Sequence, residues 1–465
     1  MPNKETMQTL PRPVALPKLK QLTNWIAKPY EYLDECAQTY GDTFTMHLFG
    51  FEPLVFLSDP QAVKEVFAAD AKCFDAGRSQ DLLRPVVGDN SLLLLDGERH
   101  RRDRKLLMPP FHGAKVKAYA DTICEITREI SSSWQPNQQI LASEVMPEIT
   151  LEVILQTVFG LHGGDRYQQL KTLLVRWLDL TGSPLSSSML FFRWFQQDWG
   201  NWSPWGKVVR LKRQVYDLLQ AEIDDRRAQI ANAQIAGMDG DAEGASGNDV
   251  LGLMLLARDE DGQPMQDIEL KDELVTMLFA GHETTAIALT WAMYWIHKLP
   301  DVKAKLMAEL EELGESADSM AIASLPYLTA VASETLRIYP IAPIAAPRIS
   351  TEEVTINGHT FAPNTYLAPA IYSVHHRPDL YPNPKEFRPE RFLNRQFSSS
   401  EYIPFGGGAR RCLGYALAKL EINLVLATLL TQHDFKLASD EPVTPRRRGV
   451  ILATSDGVPL VVKAK

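Results

Sequence analysis

The sequence contains little of what marks several large classes of protein. Its 465 residues include only four cysteines, which are scattered without a closely spaced pair, so a disulfide framework is not indicated and a reducing compartment is favoured. Glycine (27) and proline (30) occur at ordinary levels, which excludes collagen-like and low-complexity chains. Acidic residues (58) outnumber basic ones (48), and a net charge of −10 repels nucleic-acid phosphates. We therefore expect a globular protein that does not bind nucleic acid.

The sequence also has no clear export or membrane segment. Residues 1–22 contain neither a signal-peptide core nor a transit-peptide pattern, so we expect a cytoplasmic protein without a transmembrane anchor. The strongest candidate for a membrane span is 274–296, which has about the right length but carries His282 and Glu283 in its middle. An apolar helix with polar groups at its centre favours instead the buried central helix of a large domain, with a functional site on it.

The apolar pattern predicts a mainly α-helical protein with small β-sheets near both ends. We expect one domain over residues 1–465, with an N-terminal extension of about residues 1–20. The predicted elements are a hairpin at 43–57, a helix that starts at Asp59-Pro60 and runs to Phe67, helices almost throughout 96–295, a helix at 326–339, a small sheet at 348–373, a helix at about 416–430 and a β-rich tail at 450–462.

Two segments interrupt the helical region. Residues 183–207 hold four of the nine tryptophans, and the favoured interpretation is a long loop whose aromatic side chains pack on the core. A surface that touches a membrane or gates a substrate is the alternative. Residues 236–249 are small and acidic and indicate a flexible connection. Neither segment reads as a domain boundary, because helical periodicity resumes on both sides.

The densest chemical signal is the segment 405–414, FGGGARRCLG, directly before the last predicted helix. Three consecutive glycines are unfavourable inside a helix or strand but suit a backbone that approaches a flat ligand closely. Cys412 ends this loop, where backbone N–H groups and the positive end of the next helix dipole would favour a metal-binding thiolate. Arg410 could meet an anionic group on the same ligand. An inert buried cysteine, the alternative, leaves the Gly-Arg-Cys-Gly spacing unexplained.

A second motif pairs Glu334 with Arg337 on one helix face, three residues apart. Alone, such a pair is an ordinary surface ion pair. Arg391, in the segment FRPERF, is a guanidinium in an aromatic and proline-rich loop and could close a bidentate network with that pair. The network would be structural and would hold the ligand loop.

The third motif is AGHETT at 280–285, in the centre of the apolar helix. A buried, unpaired Glu283 beside the hydroxyl of Thr284 is costly unless it binds water or moves protons. The alternative is a helix kink at Gly281 with Thr284 bonded back to a carbonyl.

The fourth motif is DGERHRRDR at 96–104. His100 and Arg104 are four residues apart and share a helix face, as do Arg101 and Lys105 on a neighbouring face. Taken singly, the run indicates a solvated basic helix.

Together and in this order, the four motifs resemble the cytochrome P450 superfamily over nearly the whole chain. The family pattern F-x-x-G-x-R-x-C-x-G is met by Phe405, Gly408, Arg410, Cys412 and Gly414, the pattern E-x-x-R by Glu334 and Arg337 with Arg391 in the PERF segment, and the oxygen-activation motif by Ala280, Gly281, Glu283 and Thr284. His100 stands where the family often has Trp. The chain looks most like soluble bacterial members, in particular cyanobacterial P450s related to fatty-acid and terpenoid hydroxylases.

The resemblance implies the P450 fold, with a long central helix over a haem b, and a monooxygenase that inserts one atom of O₂ into a C–H bond. Cys412 would be the axial iron ligand, and Thr284 with Glu283 would deliver protons on the other face. The expected haem-contacting residues are His100, Arg104, Ala280, Gly281, Arg348, Phe405, Gly406, Arg410, Cys412 and Gly414. The expected substrate is apolar, and its pocket would include Leu93, Ile344, Ala345 and Val450.

We expect a monomer that receives electrons from a ferredoxin and a ferredoxin reductase, because the chain carries no flavin or iron–sulfur motif. Arg410, Arg411, Lys419, Arg101, Arg102 and Lys105 would form a basic docking patch.

Three alternatives remain open. A peroxide-using or isomerising P450 would share the fold and the ligand but commonly lacks the acid–alcohol pair seen at Glu283 and Thr284. A non-enzymatic haem-binding protein would need no proton relay. A hydrolase with Cys412 as nucleophile and His375 or His376 as base would leave the glycines and both arginine motifs without a role.

Overall fold

A computed structural model describes residues 10–182, 203–235, 249–314 and 318–463. The helices of the described residues are α1 (Lys18–Ala27), α2 (Pro29–Tyr40), α3 (Pro60–Ala68), α4 (Arg84–Val87), α5 (Gly97–Leu107), α6 (Gly113–Ala118), α7 (Ala120–Ser131), α8 (Ala142–Thr157), α9 (Asp165–Gly182), α10 (Pro204–Ile235), α11 (Val250–Leu256), α12 (Asp267–Lys298), α13 (Pro300–Leu313), α14 (Ser319–Ala323), α15 (Pro326–Ile338), α16 (Ile371–His375), α17 (Arg391–Asn394) and α18 (Tyr415–Gln432). The strands are β1 (Thr43–Met46), β2 (Leu54–Leu57), β3 (Phe74–Asp75), β4 (Gln139–Leu141), β5 (Arg348–Ser350), β6 (Val354–Ile356), β7 (His359–Phe361), β8 (Tyr366–Pro369), β9 (Asp434–Leu437), β10 (Pro445–Arg448), β11 (Ile451–Thr454) and β12 (Pro459–Lys463).

Helix α12 is the central element of the core. It starts with a capping box, in which Glu269 accepts the backbone N–H of Gln266 at 2.8 Å, and most of its side chains are buried. It packs against α8, α15 and α18 and against β9 and β11. Gly281 lets α8 approach closely, because a Cβ there would lie 3.1 Å from Cδ1 of Ile154. The apolar helix is thus explained by burial on several sides.

Small sheets surround this helical core. The largest has the strand order β1-β2-β8-β5-β3, with β1 and β2 antiparallel and β2 and β8 parallel. The C-terminal strands form the hairpin β10–β11, and a separate sheet has the order β4-β12-β9. The β10–β11 hairpin pairs Arg448 with Ile451 around the two-residue turn Gly449-Val450, so its tip lies at the end of β10.

The mainly helical architecture with small sheets is confirmed. Asp59 caps α3 by accepting the N–H groups of Gln61 and Ala62 at 2.8 and 3.0 Å, with Pro60 in the first turn.

Within the described residues, no helix is long and apolar enough to cross a membrane.

Some predicted boundaries differ from the structure. The interruption expected at 183–207 ends earlier, because α10 begins at Pro204, a residue suited to the first turn of a helix. Residues 183–202 of that segment and residues 236–248 of the expected flexible connection lie outside the described residues. Asp249 already belongs to the helical structure, since it caps α11 by accepting the N–H of Gly252 at 2.9 Å. Strand β4 lies inside the region predicted as helical.

Candidate active site

The glycine-rich loop before α18 is shaped by its neighbours and by its own backbone. Gly406 and Gly408 have φ angles of +64° and +63°, in the left-handed region that favours glycine. Gly407 is extended, and a Cβ there would lie 2.2 Å from the ring of Phe67 on α3. The sequence predicted close approach to a flat ligand as the reason for the glycines. The structure adds a second reason at Gly407 and Gly408, which is the contact with α3.

Cys412 lies at the end of this loop. Its N–H donates to the carbonyl of Phe405 at 3.0 Å, which closes the loop. Its side chain keeps accessible surface, yet enough protein surrounds the sulfur that burial raises the pKa of the thiol. The N–H of Gly414 and the guanidinium groups of Arg104 and Arg411 act in the opposite direction but are outweighed. A metal cation bound by this thiol would deprotonate it outright.

Arg410 forms an ion pair with Asp96, the residue before α5. Arg410 also donates to the carbonyl of Leu92 at 3.3 Å. The carboxylate of Asp96 accepts the backbone N–H groups of Ala76, Gly77 and Arg78 at 2.8, 2.8 and 3.1 Å. Sequence reasoning gave Asp96 no functional role. Its position just before the helix predicts a cap, but its side chain makes no capping hydrogen bond and serves Arg410 and the preceding loop.

His100, Arg104 and Arg348 lie near Arg410. Arg348 is 5% exposed and donates to the carbonyls of Ala346 and Gly407 at 2.6 and 3.2 Å. Burial, with the nearby charge of Arg410, lowers the pKa of Arg348 to about 10. Burial and the same arginine lower the pKa of His100 to about 3, so His100 is neutral at pH 7.

A cavity of about 490 Å³ opens beside this cluster. All four side chains line it, together with apolar residues that include Phe67 and Met108. Arg101, Lys105 and Asp70 also line the cavity, so basic groups outnumber acidic ones there, and Asp96 pairs with Arg410. Arg348 and Arg410 are largely buried, where unbalanced charge is costly. A ligand with carboxylates at its edge would balance that charge.

The middle of α12 departs from the burial of the rest of the helix. Ala280 is exposed, and Gly281, Glu283 and Thr284 are half-buried, although the residues on either side belong to the core. Thr284 donates its hydroxyl to the carbonyl of Ala280 at 2.6 Å, which is the backbone bond expected under the simpler interpretation. The helix therefore presents a short accessible face in the middle of its otherwise buried length.

Glu283 is not unpaired, which corrects the sequence-based expectation. Its Oε1 lies 2.7 Å from Nε of Arg448, the last residue of β10. Burial raises the pKa of Glu283, and Arg448 opposes that effect. Sequence reasoning missed Arg448, although it belongs to a run of three arginines at 446–448 directly before the hairpin turn.

Glu334, Arg337 and Arg391 lie together in a buried network. Arg337 donates to both carboxylate oxygens of Glu334 at 2.6 and 2.9 Å, and Arg391 donates to Oε1 at 3.0 Å. The two guanidinium groups also donate to carbonyls of the loop that includes Pro382, Pro384 and Glu386. The carboxylate is fully buried and fully paired, so the network ties α15 to the loop around the PERF segment.

The predicted pocket residues do not all offer surface to a ligand. Val450, at the hairpin tip, is 43% exposed, and Leu93 is 37% exposed. Ile344 is half-buried. Ala345 is 6% exposed because it packs in a core cluster with Val63, Ile371, Val374 and Ile403. Ala345 therefore offers the least accessible surface of the four.

The histidines of the hydrolase alternative are engaged elsewhere. Nε2 of His375 accepts the backbone N–H of Ile403 at 2.8 Å, and burial lowers the pKa of His375 to about 3. The Nδ1 atom of His376 lies 2.9 Å from the carbonyl oxygen of Tyr372. His375 thus has its acceptor nitrogen committed to the backbone, and the arrangement does not support a base for Cys412.

The residues present fit the haem that the resemblance implies. Cys412 supplies a thiol that keeps accessible surface, the Arg410 cluster supplies positive charge for carboxylates, and the accessible face of α12 carries an acid and a hydroxyl. Cys412 would hold the iron, and His100, Arg104, Arg348 and Arg410 would hold the propionates.

Comparison with known proteins also indicates the cytochrome P450 family. A sequence profile of the cytochrome P450 family matches residues 10–460. A Mycobacterium tuberculosis relative that carries the name cytochrome P450 135B1 is 36% identical over 93% of this chain and 87% of its own length. Another, which carries the name cytochrome P450 138, is 33% identical over 98% of this chain and 97% of its own length.

A solved structure shows the same fold. The retinoic acid-bound cyanobacterial CYP120A1 matches with a TM-score of 0.80 and 24% identity, over 98% of this chain and 100% of that chain. The family match and the extent of the mycobacterial similarity establish that this chain belongs to the cytochrome P450 family of monooxygenases.

Proposed function

We propose that this protein is a cytoplasmic, haem b-dependent monooxygenase that inserts one atom of O₂ into a C–H bond of an apolar substrate of fatty-acid or terpenoid size. The observation that carries the proposal is the accessible face at Ala280, Glu283 and Thr284 on an otherwise buried helix. A non-enzymatic haem protein would have no need of an acid and a hydroxyl on that face.

When bound, the haem supplies the activation of O₂, and the protein supplies orientation and protons. The hydroxyl of Thr284 is both a donor and an acceptor. While its hydrogen is directed to the carbonyl of Ala280, its oxygen can accept a hydrogen bond from water. Rotation away from that carbonyl frees the same hydrogen for donation. Glu283, next to it, can take up or release a proton, and these two groups form the relay we propose.

The substrate class is supported by the chemistry of the predicted pocket residues. Val450 and Leu93 are exposed apolar side chains, and Ile344 is half-buried. CYP120A1, which has the same fold, is bound to retinoic acid in its solved structure. An apolar ligand gains about 25 cal/mol for each Å² of apolar surface that it buries in such a pocket.

A titration of the ferric holoenzyme tests the substrate class. We expect palmitic acid, farnesol or retinoic acid to shift the haem from low to high spin, because an apolar ligand displaces water from the pocket. The measurement is the change in Soret absorbance with ligand concentration, with 4-hydroxybenzoate as the small polar comparison. Shifts from 4-hydroxybenzoate alone would refute the proposed substrate class.

Electrons would come from a ferredoxin through a ferredoxin reductase. The structure changes the expected docking patch, because several of its cations have acidic partners. Arg102 pairs with the buried Asp103 and with Asp259 at 2.8 and 2.7 Å. Lys105 pairs with Glu260 at 2.8 Å, but both side chains are well exposed, so that pair contributes little.

Charge reversal at Arg101 and Lys105 together is a better test than reversal at Arg102, which would leave Asp103 without its partner. Arg101 and Lys105 are exposed neighbours on α5. We expect R101E/K105E to slow association with an acidic [2Fe–2S] ferredoxin about tenfold at low salt, with the difference lost at high salt. Stopped-flow reduction measures the rate, and K18E/K20E on α1 is the matched control. Equal rates for all variants at low salt would place the docking face elsewhere.

A further inference from the structure

The ion pair between Arg448 and Glu283 joins two parts of the protein that are far apart in sequence. Arg448 comes from the C-terminal hairpin, and Glu283 comes from the accessible face of the central helix. Helix α12 packs directly on β11, the second strand of the hairpin. The guanidinium therefore reaches the acid from the same hairpin whose tip carries the exposed Val450.

The surroundings make Arg448 the main charged neighbour of Glu283. Among the described residues, Arg448 is the only charged group that contributes to the ionisation of Glu283. The adjacent His282 is buried and faces α8, where its Nδ1 lies 3.2 Å from the hydroxyl oxygen of Thr150. Burial, with a smaller contribution from Arg448, lowers the pKa of His282 to about 4, so that ring is neutral at pH 7.

The contact is an ion pair with poor hydrogen-bond geometry. Oε1 of Glu283 is shielded from solvent and makes no hydrogen bond within the described residues, although Nε of Arg448 is 2.7 Å away. The carboxylate is thus attracted by the guanidinium and is not fixed by it in one orientation. An acid that has to exchange protons with water needs this freedom, whereas a structural network such as that of Glu334 has every oxygen bonded.

Arg447 anchors the face of strand β10 that is opposite to Arg448. Arg447, the neighbour of Arg448, lies over the ring of Trp25 at 5.0 Å and donates to the Trp25 carbonyl at 2.9 Å. Successive side chains of a strand point to opposite faces, so this anchor on α1 directs Arg448 towards the central helix.

We propose that Arg448 is a positioning residue for Glu283, and that its guanidinium favours the carboxylate form of this acid and attracts it beside the accessible face of the central helix. Arg448 acts through Glu283 and needs no contact with the reacting atoms. The proposal rests on the relay role of Glu283 in the proposed function, and its test separates the two.

Arg448→Gln removes the positive charge and keeps a polar side chain. An opposite charge within 4–6 Å commonly lowers the pKa of a carboxyl by about one to three units, so its loss raises the pH at which Glu283 ionises. We expect the midpoint to move to higher pH by about one unit or more. Infrared titration of the holoenzyme measures it, through the carboxyl band that is absent in Glu283→Gln.

Matched variants separate this role from a general effect of charge or folding. Arg446→Gln removes the same charge from the same strand, and Arg446 makes no ion pair within the described residues, so we expect its midpoint to equal that of the wild type. Arg448→Lys keeps the charge, so its midpoint should stay close to that of the wild type. An unchanged midpoint in a folded Arg448→Gln or an equal shift in Arg446→Gln would overturn the proposal.

The pH profile of product formed per NADPH consumed provides the second measurement. The pH at which the product yield changes with the ionisation of Glu283 should move in Arg448→Gln by the same amount and in the same direction as the infrared midpoint. The double variant with Glu283→Gln should behave as Glu283→Gln alone, because Arg448 acts only through that acid. An infrared shift with an unmoved profile would refute the relay role of Glu283 and the positioning role with it, whereas an unmoved infrared midpoint refutes only the positioning role.

Discussion

Cys412→Ser is expected to abolish turnover and the thiolate-type spectrum of the reduced, CO-bound protein. Serine keeps the size of the side chain, but an alcohol is a far poorer anionic donor than a thiol at neutral pH. The surroundings of Cys412 cannot compensate, because burial outweighs the N–H of Gly414 and the nearby arginines and already disfavours an anion there. The loss of turnover should be complete within the detection limit.

The CO difference spectrum and the turnover rate check this expectation, and haem content is measured in the same samples. Some haem can remain bound, because the cluster of Arg348, Arg410 and His100 is untouched by the substitution. Cys73→Ser is the control, since it removes a thiol that contacts Glu352 on another part of the protein. A Cys412→Ser protein with wild-type spectrum and turnover would mean that another residue holds the iron.

Thr284→Ala is expected to lower the product formed per NADPH by at least about tenfold while ligand binding persists. A positioned acid or base commonly contributes about 10² to 10⁴ to the rate of a proton transfer, and this variant removes the hydroxyl from the proposed relay. Electrons would then be diverted to hydrogen peroxide or extra water. The helix itself should not suffer, because alanine has the higher helix propensity and the lost bond to Ala280 is a local one.

Thr290→Ala is a matched control on the same helix. Thr290 donates its hydroxyl to the carbonyl of Ala286 at 2.8 Å, so it makes the same type of backbone bond in a buried part of α12. Thr284→Ser should retain most of the coupling, because it keeps the hydroxyl. Peroxide release and product yield are both measured. If Thr284→Ala kept the wild-type product yield per NADPH, Thr284 would be a helix residue with no part in proton delivery.

Short-range patterns in the sequence predicted much of this arrangement. The glycine-rich loop, the Glu334–Arg337 spacing and the 280–285 segment each occupy a few consecutive residues, and local backbone preferences keep such residues near one another. Asp59 and Pro60 predicted the start of a helix for the same reason.

Contacts between distant segments could not be predicted in this way. Arg448 and Glu283 are paired by the packing of a C-terminal hairpin on the central helix, which no local pattern encodes. Asp96 and Arg410 are 314 residues apart in the sequence, and only the fold brings their side chains together. Ala345 is small and apolar, as a pocket residue would be, yet in the fold its side chain packs in a core cluster. The sequence shows which chemical groups these residues carry, but only the fold determines which groups they contact.

The contact between Phe67 and Gly407 has a consequence for how this sequence can change. A methyl group at position 407 would overlap the Phe67 ring, and the carbonyl of Phe67 would lie 2.4 Å from a Cβ at position 408. Substitutions at these positions are therefore not independent, because the size allowed at 407 depends on the ring on α3. A smaller side chain at 67 would make room for a larger one at 407, but the backbone of α3 would still exclude one at 408. Two positions 340 residues apart in the sequence thus share one volume, and they are expected to vary as a pair.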